Sequence, residues 1–298
     1  MLASAPIVTI ENSTIADNVV DARGEPGQEG GEIYGAGILM VPVPLPEEAE
    51  GTTLIANSTI SGNTALAAGG AGGIDGYAQG GGILYLGSGS VRNSLVQDTI
   101  AANAIQSGTN GTAQGGGVGT ISIFNETRLA IASSTIAGNS ASGTPGAGNG
   151  GNVFAGGFYK FLGRPEFNGP TRISFADTIV ANGVGGSGTE NCMTEKGEGT
   201  LVSLGFNLDS RDQCGFHAAG DLIGKNPLLG PLQKNGGPTA TLLPAPNSPV
   251  VDKGAAPGLK ADQRGAFRPF DFAAIPNSTA AGADGSDIGA VELQAEGR

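Results

Sequence analysis

The chain has 298 residues, 54 of them glycine, and a formal net charge of −12 from 15 Lys and Arg against 27 Asp and Glu. Charged residues make up only 14% of it, whereas disordered chains combine dense charge with few apolar residues. The acidic excess leaves no basic surface of the kind that nucleic-acid binding requires, and no apolar run reaches the roughly 18 residues of a membrane-spanning helix. Because glycine and β-branched residues disfavour long helices, we expect a β-rich, turn-rich fold without a nucleic-acid partner or a membrane span.

One five-residue pattern, T-I-x-x-N, recurs five times along the chain. Its copies are residues 14–18, 59–63, 99–103, 135–139 and 178–182. A run of alternating apolar and polar residues precedes each copy, which is typical of a β-strand. A second motif, rich in glycine, follows at 35–38, 80–83, 115–118 and, more loosely, 155–158. Each repeat therefore holds at least two strands and a connection of variable length.

Repeats of this kind predict an all-β fold, a right-handed parallel β-helix with an irregular C-terminal cap, because stacked coils bury one continuous core. A propeller needs four strands per repeat and usually carries aromatic signatures, and a β-sandwich does not require the same Asn and Gly in every turn. In the β-helix the repeat isoleucines form one interior row: Ile15, Ile60, Ile100, Ile136 and Ile179. The repeat asparagines form a hydrogen-bonded ladder at a bend: Asn18, Asn63, Asn103, Asn139 and Asn182.

The segments after the asparagines are rich in Gly, Ala and Gln, as at 67–73 and 106–111. If each repeat is one coil, these segments are expected to leave the barrel at one bend and stack into a loop-rich flank. The sequence leaves open whether a repeat is one coil with an insertion or nearly two coils.

Two regions follow from this pattern, within one structural domain. Residues 1–189 contain the β-helix repeats, and residues 190–298 form a capping region punctuated by proline and packed on the helix. An end of a solenoid needs such a cover because it exposes strand edges and core. Asp262 with Arg264, and Arg268 with Glu292, are candidates for charge-assisted bonds that hold this cap.

The cap motifs occur in a characteristic order: L-G-F-N-L at 204–208, N-P-L-L-G-P-L at 226–232, N-G-G-P-T at 235–239, S-P-V-V-D-K-G at 248–254, D-Q-R-G at 262–265 and D-I-G-A-V-E at 287–292. This series resembles the bacterial surface proteins grouped as choice-of-anchor Q domain proteins, which carry polymorphic outer-membrane-protein-like β-helix repeats. The resemblance implies a secreted or surface-anchored bacterial protein and supplies no catalytic motif. Ser286 stands where that family usually has a cysteine.

The two cysteines, Cys192 and Cys214, are compatible with free thiols or with one disulfide when taken alone. Export, as the resemblance implies it, brings the chain into an oxidising compartment where paired cysteines normally bridge. We therefore expect a Cys192–Cys214 disulfide.

Two sets of residues are candidates for catalysis. Asp98 and Asp177 take the place of a repeat serine, and two coils apart they would be separated by roughly 9.6 Å, near the upper limit for inverting glycosidases. The alternative is that Asp merely replaces Ser on a solvent-facing strand. The second set would supply the base of a polysaccharide lyase, or else belongs to an ordinary exposed loop: Tyr159, Lys160 and Arg164, with Arg128 and Arg172.

Binding residues are fewer. Exposed aromatics are the usual platforms for sugars, and the tyrosines available are Tyr34, Tyr77, Tyr85 and Tyr159. No cofactor or metal is expected. The alternative is a calcium ion bound by Asp284, Asp287 and the pair Asp209 and Asp212, although the sequence contains no EF-hand loop.

The function expected from these features is a secreted or surface-exposed module, not an enzyme, for adhesion or for contact with a polysaccharide or a cell-surface glycan. The rival is a polysaccharide-active enzyme, a lyase or a glycoside hydrolase, with a groove along the β-helix. The sequence does not determine the oligomeric state.

Overall fold

The computed structural model describes residues 7–28, 30–41, 51–69, 76–87, 91–108, 111–122, 126–143, 148–157, 169–186 and 188–295. This part of the chain contains β-strands and no α-helix, as the composition predicts.

The strands follow one another in coils. Coil 1 contains β1 (Ile7–Glu11), β2 (Thr14–Ala16), β3 (Val19–Asp21), β4 (Glu32–Tyr34) and β5 (Ile38–Met40). Coil 2 contains β6 (Gly51–Ala56), β7 (Thr59–Ser61), β8 (Thr64–Ala67), β9 (Tyr77–Gln79) and β10 (Ile83–Gly87). Coil 3 contains β11 (Val91–Val96), β12 (Thr99–Ala101), β13 (Ala104–Ser107), β14 (Thr112–Gln114) and β15 (Val118–Ser122). Coil 4 contains β16 (Thr127–Ala132), β17 (Thr135–Ala137), β18 (Ser140–Ser142), β19 (Gly148–Asn149) and β20 (Val153–Gly157). Coil 5 contains β21 (Thr171–Ala176), β22 (Ile179–Ala181) and β23 (Cys192–Thr194). The remaining strands are β24 (Gly199–Ser203), β25 (Leu208–Asp209), β26 (Leu222–Ile223), β27 (Leu229–Gln233) and β28 (Thr241–Pro244).

Strands of successive coils stack in parallel into five sheets, which confirms the parallel β-helix. Sheet A has the order β1-β6-β11-β16-β21-β24 and sheet B the order β2-β7-β12-β17-β22-β25-β26. Sheet C is β3-β8-β13-β18, sheet D is β4-β9-β14-β19, and sheet E is β5-β10-β15-β20-β23. Each repeat is therefore one coil and not nearly two coils, the alternative that the sequence leaves open.

The main core lies between sheets A, B and E, where inward side chains stack on their equivalents from coil to coil. Ile15, Ile60, Ile100 and Ile136 are direct partners in sheet B. The next partner in this row is Val180 and not Ile179, which pairs with Thr135 instead. The fifth isoleucine is thus displaced by one residue and faces outward.

The asparagine ladder runs beside this core. The side-chain Nδ2 of Asn18, Asn63 and Asn103 donates to Oδ1 of the asparagine on the next coil at 2.7, 2.8 and 2.9 Å. The third glycine of the motif makes room for it, because a Cβ at Gly82 would lie 2.9 Å from Nδ2 of Asn103. Gly80, at the preceding bend, has a φ of 70°, which favours glycine.

Asn182 is not part of the ladder, in contrast to the prediction. It is exposed, with a φ of 54°, and the ladder position on coil 5 belongs to Gly183. The ladder continues instead through Asn152, whose Oδ1 accepts a bond of 2.9 Å from Asn139, and then through Asn191. Asn152 occupies the position of the third glycine, so the fourth glycine motif is 150–153 and not 155–158. Its side chain fits because a Cβ at Gly183 would lie only 2.8 Å from it.

The described residues that follow the ladder include sheets C and D, whereas most of the predicted insertion at 67–73, and residues 109–110 of the one at 106–111, lie outside the described residues. These two sheets pack against each other around a second, smaller core of mostly alanine. Its buried members are Ile33, Ala36, Ala65, Ala67, Ala78, Ile105, Ala113 and Ala141. Small side chains let the two sheets approach closely, so the strands of sheets C and D are part of the wall of each coil.

Parallel stacking continues beyond residue 189, since β23 to β26 extend sheets A, B and E as far as Ile223. The predicted disulfide between Cys192 and Cys214 is present. It joins Cys192, an inward residue of the last strand of sheet E, to the segment that contains Phe216. Phe216 packs on Phe175, with ring centroids 5.0 Å apart. Residues 214–216 therefore cover the C-terminal end of the main core.

Residues 227–293, the C-terminal segment, lie along the outer face of sheet B. The outward threonines of the repeat contact it directly: Gln263 Nε2 donates to Thr59 Oγ1 at 3.0 Å, and Thr99 Oγ1 donates to Gln263 Oε1 at 2.6 Å. Ala290 N donates to Thr135 Oγ1 at 3.1 Å. This segment thus covers one side of coils 2 to 5, where outward residues are small enough for close packing.

Both predicted charge pairs of the C-terminal segment are confirmed. Arg264 lies 2.8 Å from Asp262, and Arg268 Nε lies 3.0 Å from Glu292. Arg268 is completely buried, and its Nη2 also donates to the carbonyl of Gly289 at 2.8 Å. Charge-assisted bonds of this kind order a segment that has little regular secondary structure.

Candidate functional site

Asp98, one of the two candidate carboxylates, lies at the corner between sheets A and B on coil 3. It is completely buried, and its carboxylate accepts hydrogen bonds from the backbone N–H of Ser58 at 2.8 Å and of Val96 at 3.0 Å. Burial raises the pKa of Asp98 to about 8 against the effect of these bonds. On coils 2 and 4 the same position holds Ser58 and Ser134. Asp98 thus replaces a serine inside a corner, not on the solvent-facing strand that the alternative interpretation assumed.

Asp177 occupies a different position in the corner. Because Thr135 pairs with Ile179, Asp177 is level with Ser133, and Ser133 Oγ donates to it at 2.9 Å. The backbone N–H of Ala255 also donates to it at 3.1 Å, and Arg268 Nη2 lies 3.7 Å away. Burial raises the pKa of Asp177 to about 7, although Arg268 acts in the opposite direction. The carboxylate therefore joins coil 5 to the C-terminal segment.

This geometry does not support the predicted pair of glycosidase carboxylates. Asp98 and Asp177 are 0% and 1% exposed, while a general acid or base must reach the atom whose proton it transfers. Their oxygens are also engaged by backbone and side-chain donors. The two carboxylates make hydrogen bonds inside corners of the fold.

The tyrosines divide between core and surface. Tyr85 is 1% exposed inside the main core, so the prediction that it forms a sugar platform is wrong. Tyr34 and Tyr77 are half-buried on adjacent coils of sheet D, with ring centroids 6.4 Å apart. Tyr34 donates to Glu32 at 3.0 Å and Tyr77 to Gln114 at 2.7 Å. Burial raises the pKa of both phenols, so at neutral pH they act as hydrogen-bond donors. Tyr159 lies outside the described residues.

The basic candidates divide in the same way. Tyr159, Lys160 and Arg164 lie outside the described residues, whereas Arg128 and Arg172 are direct partners on adjacent strands of sheet A. Arg92, which the sequence analysis did not include, pairs with Arg128 on the other side. We call Arg92, Arg128 and Arg172 the arginine column.

The arginine column stands on the outer face of sheet A. All three side chains are exposed, and the same outward row continues through Thr52 on one side and Thr200 on the other. Adjacent strands lie about 4.8 Å apart, so the three residues follow the axis of the helix over about 10 Å. Each arginine precedes an inward Leu, Ile or Phe by three positions. Alignment of the alternating runs on these inward residues would have revealed the column.

The neighbouring outward row of sheet A carries smaller side chains. Its members are Thr9, Leu54, Ser94, Ala130, Ser174 and Val202. Each of them is at least partly exposed. The described part of this face is thus a parallel sheet with one row of cations beside a row of uncharged, non-aromatic residues.

The carboxylates suggested for calcium are used within the protein. Asp209 accepts bonds from the backbone N–H of Arg211, at 3.0 Å, and of Cys214, at 2.7 Å. Asp287 accepts bonds from the N–H of Asp252 and Leu293, and Asp284 from that of Ala256. Asp212 is exposed. Among the described residues, no group of three His, Cys, Asp or Glu side chains is arranged to hold a metal ion.

Nor do the described residues include a helix with the length and hydropathy of a membrane span. Comparison with protein-family models, with curated proteins and with solved structures finds no match to this chain. The resemblance to the choice-of-anchor Q proteins therefore stays a prediction that rests on the cap motifs.

Proposed function

We propose that this chain is a secreted or surface-exposed bacterial module that contacts a polysaccharide or a cell-surface glycan along one side of its β-helix, without catalysis. The observation that carries the proposal is the outer face of sheet A. Six parallel strands place side chains in straight rows there, and these rows are accessible to solvent, whereas the C-terminal segment covers sheet B. An elongated surface with side chains in straight rows suits a linear polymer.

Two further features support an exported binding module. The Cys192–Cys214 disulfide is of the kind that persists in oxidising compartments. The only carboxylates proposed as a catalytic pair are buried, so the described residues offer a surface for binding more readily than an acid–base centre. The order of the cap motifs agrees with this interpretation.

The rival function is cleavage of an acidic polysaccharide. Arg128 and Arg172 stand together on sheet A, and the second is close in sequence to Tyr159, Lys160 and Arg164. In a lyase, an arginine would neutralise the uronate carboxylate while Tyr or Lys removes the C5 proton.

A panel of neutral and acidic polysaccharides distinguishes these functions. Affinity electrophoresis measures binding, while new reducing ends and the ultraviolet absorbance of unsaturated uronates measure cleavage. The proposal expects binding to at least one polymer and no cleavage. Cleavage that is abolished by Tyr159→Phe or Lys160→Ala would establish the rival, and the absence of binding to any polymer would refute the proposal.

A further inference from the structure

The arginine column is an anomaly in an acidic protein. The chain has 15 basic residues in 298 and a net charge of −12, yet three arginines stand in one row on successive strands. Like charges directly opposite each other destabilise a sheet. The fold does not need a cation at these positions, because Thr52 and Thr200 fill the same row on the flanking strands. Local violations of this kind are expected at functional sites.

We propose that the arginine column binds an acidic glycan, one that carries carboxylate or sulfate groups at regular intervals. This inference rests on the proposed function and specifies its ligand. The anionic groups of a chain lying along the helix axis would meet arginines on strands about 4.8 Å apart, a spacing on the scale of one monosaccharide. Guanidinium groups form paired, charge-assisted bonds with carboxylate and sulfate oxygens.

Arg128 and Arg172 are accessible to such a ligand. Arg172 has no ion-pair partner among the described residues. Arg128 pairs with Glu126 through Nε, at 2.6 Å, and through Nη2, and both bonds end on the same carboxylate oxygen. The two side chains are 72% and 32% exposed, and an exposed ion pair of this type contributes little to stability. An incoming anion can therefore replace Glu126.

The surroundings of the column favour a glycan over other polyanions. The adjacent outward row, from Thr9 to Val202, contains no aromatic side chain on which bases could stack. Three arginines are also fewer than the roughly four to eight basic residues typical of segments that recognise anionic membranes. No side chain of this row is larger than leucine, which leaves room for sugar rings beside the column.

The test measures the dissociation constants of defined oligosaccharides for the folded chain and its variants. The probes are a heparin hexasaccharide, a hexamer of galacturonate and cellohexaose, which is neutral, at about 0.05 and 0.3 M NaCl. We expect Arg128→Thr and Arg172→Thr to weaken binding of the acidic probes by about tenfold each. Glu126→Gln should strengthen it, because this substitution removes the competing carboxylate. High salt should weaken binding of the acidic probes and leave cellohexaose unaffected.

Arg23→Thr is the matched control, since it removes the same charge from another exposed arginine, which pairs with Asp21 on sheet C. Its binding should equal that of the parent chain. Circular dichroism and melting temperature should be unchanged in Arg128→Thr and Arg172→Thr, because threonine already occupies this row.

The outcomes separate the inference from the proposed function. The chain could bind cellohexaose and the acidic probes equally strongly, with no effect of Arg128→Thr or Arg172→Thr. That result would preserve the proposed function and overturn the inference. The absence of binding to any glycan would overturn both. Equal, column-dependent binding of single-stranded DNA or of phosphatidylserine vesicles would also overturn the assignment to a glycan. A preference for heparin or for galacturonate would identify sulfate or carboxylate as the group recognised.

Discussion

Replacement of Asp98 by serine tests whether a buried carboxyl makes the β-helix sensitive to pH. Asp98 replaces, on coil 3, the corner serine of coils 2 and 4. Ser58 Oγ and Ser134 Oγ each donate to the carbonyl oxygen two residues earlier, at 2.8 Å. The hydroxyl introduced by Asp98→Ser can repeat that bond and can still accept the N–H of Ser58. The variant is therefore expected to fold.

The magnitude follows from the raised pKa. The pKa of Asp98 is about 8 in the folded protein, against an ordinary value of 3.8. A carboxyl whose pKa rises on folding favours the folded state while it holds its proton, so its contribution is complete below about pH 4 and is lost as the pH rises to about 8. At about 1.4 kcal/mol for each pKa unit, a rise of this size corresponds to about 6 kcal/mol.

The measurement is the free energy of unfolding in guanidinium chloride, with the disulfide intact, followed by circular dichroism from about pH 4 to about pH 8. Asp177 and Asp287 have raised pKa values too, so the parent chain should lose stability over this range. Asp98→Ser should lose several kcal/mol less and be at least as stable as the parent chain at the upper end. The exposed Asp21→Ser is the control and should follow the parent curve. Identical slopes for Asp98→Ser and the parent chain would refute the reasoning.

The other predictions concern the core, the ladder and the disulfide. Ile100→Ala should lower the free energy of unfolding by about 2–5 kcal/mol, through lost burial and a cavity, and a loss below 1 kcal/mol, measured by denaturant titration, would contradict its place in the interior row. Asn152→Ala should lower the free energy of unfolding by about 2–4 kcal/mol, because it leaves buried donors and acceptors of the ladder unpaired. Asn182→Gly should leave the melting temperature nearly unchanged, because Asn182 is exposed and has a positive φ. Equal effects of the two substitutions would argue against the ladder described above. Reduction of Cys192–Cys214, which are 22 residues apart, should cost about 3 kcal/mol, and thiol titration of the unfolded, unreduced chain should find no free thiol.

The fold class and the interior of the first four coils were predictable from sequence. Period-two alternation fixes which residues of a strand face inward, and identical positions in successive repeats must stack in a solenoid. Ile60, Ile100 and Ile136 therefore lie where the motif places them, as does the ladder from Asn18 to Asn139. The charge pairs of Arg264 and Arg268 were also recognisable, since charge-assisted bonds can hold an irregular cap on the repeats.

The fifth repeat shows where the motif fails. Its T-I-x-x-N copy lies one residue closer to the preceding strand than in the fourth repeat, and the register of sheet A determines the pairing that follows. A shift of the strand by one residue would turn each of its side chains to the opposite face. The strand therefore keeps its register, and each residue of the T-I-x-x-N copy stands one position earlier in coil 5 than its equivalent in coil 4. Asn152 then takes the ladder position because Gly183 leaves space for it.

The outer surface was decided by tertiary structure alone. Outward threonines of sheet B and outward arginines of sheet A have the same alternating pattern in sequence, yet Thr99 is buried and Arg128 is exposed. Alternation states that a side chain points away from the core, but not what lies beyond it. That depends on the C-terminal segment, whose path follows from bonds between residues more than 150 positions apart, such as Thr99 with Gln263. A local sequence pattern carries no information about contacts at that distance, and the contact of Asp177 with Ala255 and Arg268 of this segment has the same cause.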